Sequence, residues 1–216
     1  MLNIKGVIFD LDGVILDSMT MWGDVAMEYL ISQGATPRPD LRKKLRPLNT
    51  VEEAQYYIDE YGIDLPLEEV IAGRNNSIFG FFSNEVKLKT GVMQVLEALK
   101  KRGIKMCIAT ATERNLVEPA LELHGIKDYF MRIFTCEEEN TSKKSPDMYI
   151  RAAEFLGTDI GDTLVIEDSL YAMKTANKAG FIVAGVYDKV SDDQQDEIKA
   201  LCDYYWINID KMLEFL

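Results

Sequence analysis

Two carboxylates one residue apart, Asp10 and Asp12, close the apolar run Gly6-Val-Ile-Phe9, and Gly13 follows them. Like charges that close repel, so one takes up a proton unless a cation sits between them. The run itself suits a strand buried on both faces of a parallel sheet, and the glycine lets the backbone turn sharply just beyond it. Acids at the carboxyl end of such a strand lie where open α/β sheets place their chemistry. Oxygen donors of this kind favour a hard cation, Mg2+. The plain alternative is a strand that ends in a polar turn.

Three further stretches offer matching parts. Thr110-Ala111-Thr112 follows the strand expected at Ile104–Ala109 and brings hydroxyls and backbone N–H groups to a helix start, which suits an anion; either threonine also serves as a helix N-cap. Lys143-Lys144-Ser-Pro-Asp147 offers a cation from either lysine, or a solvated loop. Glu167-Asp168 ends the run Leu164-Val-Ile166 and supplies two more carboxylates, or caps the next helix and complements its dipole. Together they form an acidic Mg2+ site, a hydroxyl and a lysine. Phosphoryl transfer needs those parts: an in-line nucleophile, a metal, and positive charge on the equatorial oxygens.

The elements that must position them follow from periodicity. Asp17-Ser18 can cap a helix running to about Gln33, whose apolar residues fall at helical spacing. Further helices fit Asp40–Leu45, Val51–Tyr61 (opened by a capping box at Thr50-Val-Glu-Glu53) and Pro66 to about Val86. From Gly91 onward, helices alternate with strands at Ile104–Ala109, Arg132–Thr135, Thr163–Ile166, Ile182–Val186 and Tyr204–Ile207, and a last helix fits Ile209–Phe215. The expected architecture is α/β, a Rossmann-like parallel sheet core with helices on both faces, interrupted after its first strand by an inserted α-helical domain. The core is expected at residues 1–15 and 88–216, the insert at 16–87, and a hinge where the chain crosses between them.

The chain has 216 residues and a net charge of −12, which argues against nucleic acid or an anionic membrane surface as partner. An anionic substrate then needs a local cation. The apolar N-terminal run is too short to span a bilayer. Three widely spaced cysteines, Cys107, Cys136 and Cys202, read as reduced thiols of a cytoplasmic protein, and a monomer or weak dimer is expected. The one histidine, His124, reads as a dipole partner at a helix C-terminus.

Asp10-Leu-Asp-Gly-Val14, Thr110, Lys143 and Glu167-Asp168 resemble the four motifs of the haloacid dehalogenase superfamily, across nearly the whole chain. The position of the helical insert resembles the β-phosphoglucomutase-like branch. The resemblance selects Lys143, which stands four residues before the Asp of Ser-Pro-Asp147. It implies that Asp10 attacks phosphorus and forms an aspartyl-phosphate, and that Asp12 protonates the leaving alcohol and then activates water. It implies that Asp10, Asp168 and the carbonyl of Asp12 hold Mg2+ with Glu167 beside them, while Thr110, Ala111 and Lys143 bind the phosphoryl group. The insert then acts as a cap, with Trp22 and Arg46 among its candidate substrate contacts. Arg46 and Arg74 are possible anion contacts, and each reads mainly as solvated surface. Mutases of that branch use a histidine and an arginine where Trp22 and Thr50 stand here. The expected function is a Mg2+-dependent phosphatase of a small phosphorylated metabolite. A sugar-phosphate mutase is the alternative, and a non-catalytic phosphometabolite sensor is the third reading.

Overall fold

The structure is a computed structural model that describes residues 4–45, 48 and 50–216, apart from the side chain of Trp22. By its contacts the chain divides into two compact units, Met1–Met19 with Val86–Leu216, and Thr20–Glu85.

The chain begins with β1 (Gly6–Phe9), enters the second unit, and there forms α1 (Met21–Ser32), α2 (Leu41–Leu45), α3 (Thr50–Tyr61) and α4 (Leu67–Asn84). It returns to build α5 (Val92–Lys101), β2 (Lys105–Thr110), α6 (Arg114–Leu123), β3 (Ile133–Thr135), α7 (Asp147–Leu156), β4 (Thr163–Glu167), α8 (Leu170–Lys178), β5 (Ile182–Val186), α9 (Gln195–Leu201) and β6 (Tyr204–Trp206). The six strands form one parallel sheet in the order β3-β2-β1-β4-β5-β6. All of β1 is buried because it lies between β2 and β4 and both its faces are covered. Ile8, Cys107, Ala109, Val165 and Val183 pack on one face with Met148, Tyr149 and Ala152 of α7, Met173 and Ala176 of α8, and Ile198 of α9. The strand order reverses between β1 and β4, so loops leaving their carboxyl ends diverge and open a crevice there.

The two passages between the units pair with each other inside the sheet-bearing unit. Leu16 bridges Leu88 in antiparallel fashion, Asp17 N donates to Lys87 O at 2.8 Å, and Lys89 N donates to Ile15 O at 2.9 Å. Lys89 Nζ then reaches Asp188 Oδ2 at 2.8 Å and Tyr187 O at 2.9 Å, at the end of β5. His124, at the end of α6, places Nε2 at 2.8 Å from Val86 O. The histidine thus fastens the returning chain as well as closing its helix.

In the helical unit Ala26, Tyr29, Leu30, Leu41, Ala54, Tyr57 and Val70 form a core. Gly73 of α4 is required by packing, since a Cβ there would stand 2.7 Å from the Tyr29 ring of α1. Arg74 is not solvated surface. Its Nε and Nη2 donate to Glu53 Oε1 and Oε2 at 2.8 and 2.9 Å, and Tyr57 donates to the same carboxylate. The guanidinium and carboxylate side chains are only 11% and 10% exposed, so this is a two-pronged pair held largely out of water.

Three expectations shift. The first helix of the insert starts at Met21 rather than at Asp17-Ser18, because the Ser18 hydroxyl is engaged elsewhere. Helix α9 is absent from the periodicity reading, and the last segment, Ile209–Glu214, winds as a 3-10 helix.

Candidate active site

The site is built at the carboxyl ends of β1, β2 and β4 and at the loop entering α7. Asp10 leaves β1 with its N–H bonded to Ile166 O at 2.9 Å, and its Oδ1 accepts the Leu11 N–H at 2.7 Å. The next residues curl into a tight loop closed by Gly13 N to Leu16 O and Leu16 N to Leu11 O. Gly13 has φ +77°, and a Cβ there would lie 2.5 Å from Asp168 Oδ2. Glycine is therefore needed for the turn and for the space that the Asp168 carboxylate occupies.

Lys143 is 3% exposed, and its Nζ lies 2.5 Å from Asp10 Oδ1 and 2.8 Å from Glu167 Oε1. The Tyr149 hydroxyl donates to the same Glu167 Oε1 at 2.7 Å. Asp12 is held separately, with Ser18 Oγ donating to Oδ1 and Thr112 Oγ1 to Oδ2, each at 2.5 Å. Thr110 is fully buried and its Oγ1 accepts the Thr112 N–H at 3.0 Å, which shapes the turn after β2. Ser169 Oγ donates to Asp168 Oδ1 at 2.9 Å.

Oxygens of Asp10, Glu167 and Asp168 lie within 4.8 Å of one another, all three residues buried. Three carboxylates against the Lys143 ammonium leave two negative charges, and Glu167 Oε2 and Asp168 Oδ2 are buried with no hydrogen-bond partner among the described residues. Orphaned carboxylate oxygens are costly to bury. A hard divalent cation such as Mg2+ fits this donor set, because it would take both orphaned oxygens and match the charge.

Electrostatics follow from that crowding. Burial, then the Asp10 charge, pushes the Asp12 carboxyl up to about 6, against the hydrogen bonds from Ser18 and Thr112. Burial and then Asp10 likewise hold Glu167 and Asp168 above the usual carboxylate range. Burial opposes the Lys143 charge, yet Asp10 and Glu167 more than reverse that, so its ammonium is held above the ordinary lysine value.

A sequence profile of the haloacid dehalogenase-like hydrolases matches residues 7–186. The chain belongs to that family. The bifunctional riboflavin kinase/FMN phosphatase of Arabidopsis thaliana is 29% identical over 186 residues, 83% of this chain and 48% of that protein. The chain thus spans about half the length of this relative. The phosphorylated carbohydrates phosphatase of Thermotoga maritima is 25% identical over 190 residues, 88% of each chain. The crystal structure of CbbY from Rhodobacter sphaeroides, in complex with phosphate, superposes with a TM-score of 0.80 at 19% identity, covering 97% of this chain and 96% of that one. At that identity the likeness establishes the fold.

In this hydrolase, Asp10, Asp12, Thr110, Lys143, Glu167 and Asp168 are all buried in the sheet-bearing unit. Lys144 is exposed, so the two adjacent lysines differ sharply in surroundings. Ala111 is exposed beside Thr110. Arg46 and the side chain of Trp22 lie outside the described residues. Ser18, Thr112 and Tyr149 touch the acidic groups directly, and sequence reading assigns none of them that contact. The signal for Thr112 is its place in Thr-Ala-Thr, where both hydroxyls stay open as candidates; Ser18 reads as a cap, and nothing in the sequence singles out Tyr149. Among the described residues no helix is long and apolar enough to cross a membrane.

Proposed function

We propose that the chain is a Mg2+-dependent phosphatase that hydrolyses a small phosphorylated metabolite through an aspartyl-phosphate on Asp10. The observation that carries this reading is the pair of acids on one loop with divided roles. Asp10 faces Lys143, Glu167 and Asp168, whereas the Asp12 carboxyl, among the described residues, accepts from the Ser18 and Thr112 hydroxyls. An Asp10 carboxylate oxygen attacks phosphorus as the bond to the substrate's ester oxygen breaks, and the Asp12 carboxyl gives its proton to that departing oxygen. Water then attacks the acyl-phosphate, Asp12 takes the proton of that water, and phosphate leaves with Asp10 restored. A carboxyl pushed up to about 6 suits both directions near neutrality. Asp10, Glu167 and Asp168, with the Asp12 carbonyl, would hold Mg2+, which supplies positive charge to the phosphoryl oxygens. Lys143 holds Asp10 by charge and offers the same oxygens a buried ammonium. Thr110 and the backbone at Ala111 shape the phosphoryl pocket, and the helical unit acts as the cap.

The test is a panel of sugar phosphates and other small phosphomonoesters, assayed for released phosphate with Mg2+ and with a chelator. Release that requires Mg2+ is expected for at least one compound. Conversion of β-glucose 1-phosphate to glucose 6-phosphate with negligible phosphate release, when a trace of the 1,6-bisphosphate is present, would replace this reading by the mutase one.

A further inference from the structure

We infer that Tyr149 is a positioning residue for the metal cradle: its hydroxyl pins one oxygen of Glu167 and thereby turns the other toward Asp10 and Asp168. The inference rests on the proposed metal role of these carboxylates. Glu167 is fully buried, and Oε1 accepts both Lys143 Nζ at 2.8 Å and the Tyr149 hydroxyl at 2.7 Å. Two donors on one oxygen fix the plane of a carboxylate that would otherwise rotate about its last bond. Oε2 is left buried and, among the described residues, without a hydrogen-bond partner, and Glu167 is one of the three acids, with Asp10 and Asp168, whose oxygens converge.

Lys143 alone does not suffice for this. Its Nζ is shared, and it lies closer to Asp10, at 2.5 Å, than to Glu167. Tyr149 has no competing acceptor among the described residues. It is 1% exposed on α7, and its ring meets Phe181 edge-on with centroids 6.2 Å apart, so the phenol direction is set by packing before any ligand arrives. Groups that orient a metal-binding carboxylate in this way typically contribute about tenfold or more to metal affinity.

The experiment is calorimetric titration of Mg2+ into the chelator-stripped, dialysed full chain, beside unfolding in chelator, for wild type, Tyr149→Phe and Phe181→Leu. Tyr149→Phe keeps the ring and removes the donor; it is expected to bind Mg2+ about tenfold more weakly while unfolding without metal close to wild type. Phe181→Leu loosens the ring's packing and keeps the donor; it is expected to unfold earlier and to weaken Mg2+ binding clearly less than Tyr149→Phe does. Unchanged Mg2+ affinity in Tyr149→Phe, or equal weakening in both variants, overturns the positioning role. A Tyr149→Phe chain that fails to fold without metal overturns it too, by making the contact structural. A wild-type chain that binds no Mg2+ overturns the metal reading itself and this inference with it.

Discussion

Replacing Asp12 by asparagine separates the stability of this site from its chemistry. The carboxyl moves from its ordinary 3.8 to about 6 in the folded chain, burial being the first cause and the Asp10 charge the second. The folded state therefore holds the Asp12 proton more tightly than the unfolded state does. Below about pH 4 both states are protonated and the group contributes no penalty. As the pH rises toward about 6 the unfolded carboxyl ionises freely, whereas the folded one ionises only against its surroundings, and the penalty is complete above that. At about 1.4 kcal/mol per pH unit, the move from 3.8 to about 6 amounts to about 3 kcal/mol. The amide of the Asp12→Asn variant carries no charge and has nearly the same shape. The Ser18 and Thr112 hydroxyls that now donate to Asp12 can rotate, so one can accept from the amide while the other still donates. The measurement is urea and thermal unfolding of both proteins in chelator across that pH range. The variant should gain on wild type as pH rises, by up to about 3 kcal/mol or about 6–12 °C near pH 8, while losing phosphatase turnover. A stability gap that does not change with pH, or that favours wild type increasingly as pH rises, would refute the reasoning.

Lys143→Ala should lower kcat roughly 100- to 1,000-fold, because a buried ammonium beside Asp10 acts at low effective dielectric, whereas Lys144→Ala should leave turnover close to wild type. The reverse ranking in steady-state assays would move the assignment to the neighbouring lysine. Arg74→Ala strands the Glu53 carboxylate and should destabilise the helical unit by about 3–5 kcal/mol in urea unfolding. A loss smaller than about 1 kcal/mol would mean that the pair behaves as an ordinary surface bridge.

Much of the core was legible because local pattern and tertiary role coincide there. Gly6–Phe9 is apolar throughout since the strand is covered on both faces, and Asp10 follows where the sheet opens. The alternation after Gly91 likewise follows the parallel sheet. What escaped was set by contacts distant in sequence. Lys143 and Lys144 are alike as residues, and their types alone do not separate them; the family resemblance picks Lys143, which the fold buries beside Asp10 and Glu167 while exposing Lys144. Arg74 reads as surface because its partner Glu53 lies on another helix, 21 residues away. Ser18 has the composition and position of a cap, yet its hydroxyl goes to Asp12, and the helix starts at Met21 without a side-chain cap. Helix α9 is short and follows directly on Asp192-Asp-Gln194, with polar Gln195-Asp-Glu197 as its first turn, so its period is faint; Ile198, fully buried against the sheet, anchors it.

The paired passages at Leu16 and Leu88 have a consequence for how such a protein can be remade. Because the outgoing and returning segments bond to each other, and Lys89 moors the second to Asp188 and Tyr187, the helical insert hangs from a closed ribbon. Among the described residues the strands of the sheet pair with one another, and none pairs with residues 20–85. A short turn, or a foreign helical bundle with nearby ends, spliced between Met19 and Val86 is therefore expected to leave the ribbon paired and the acid pair in place.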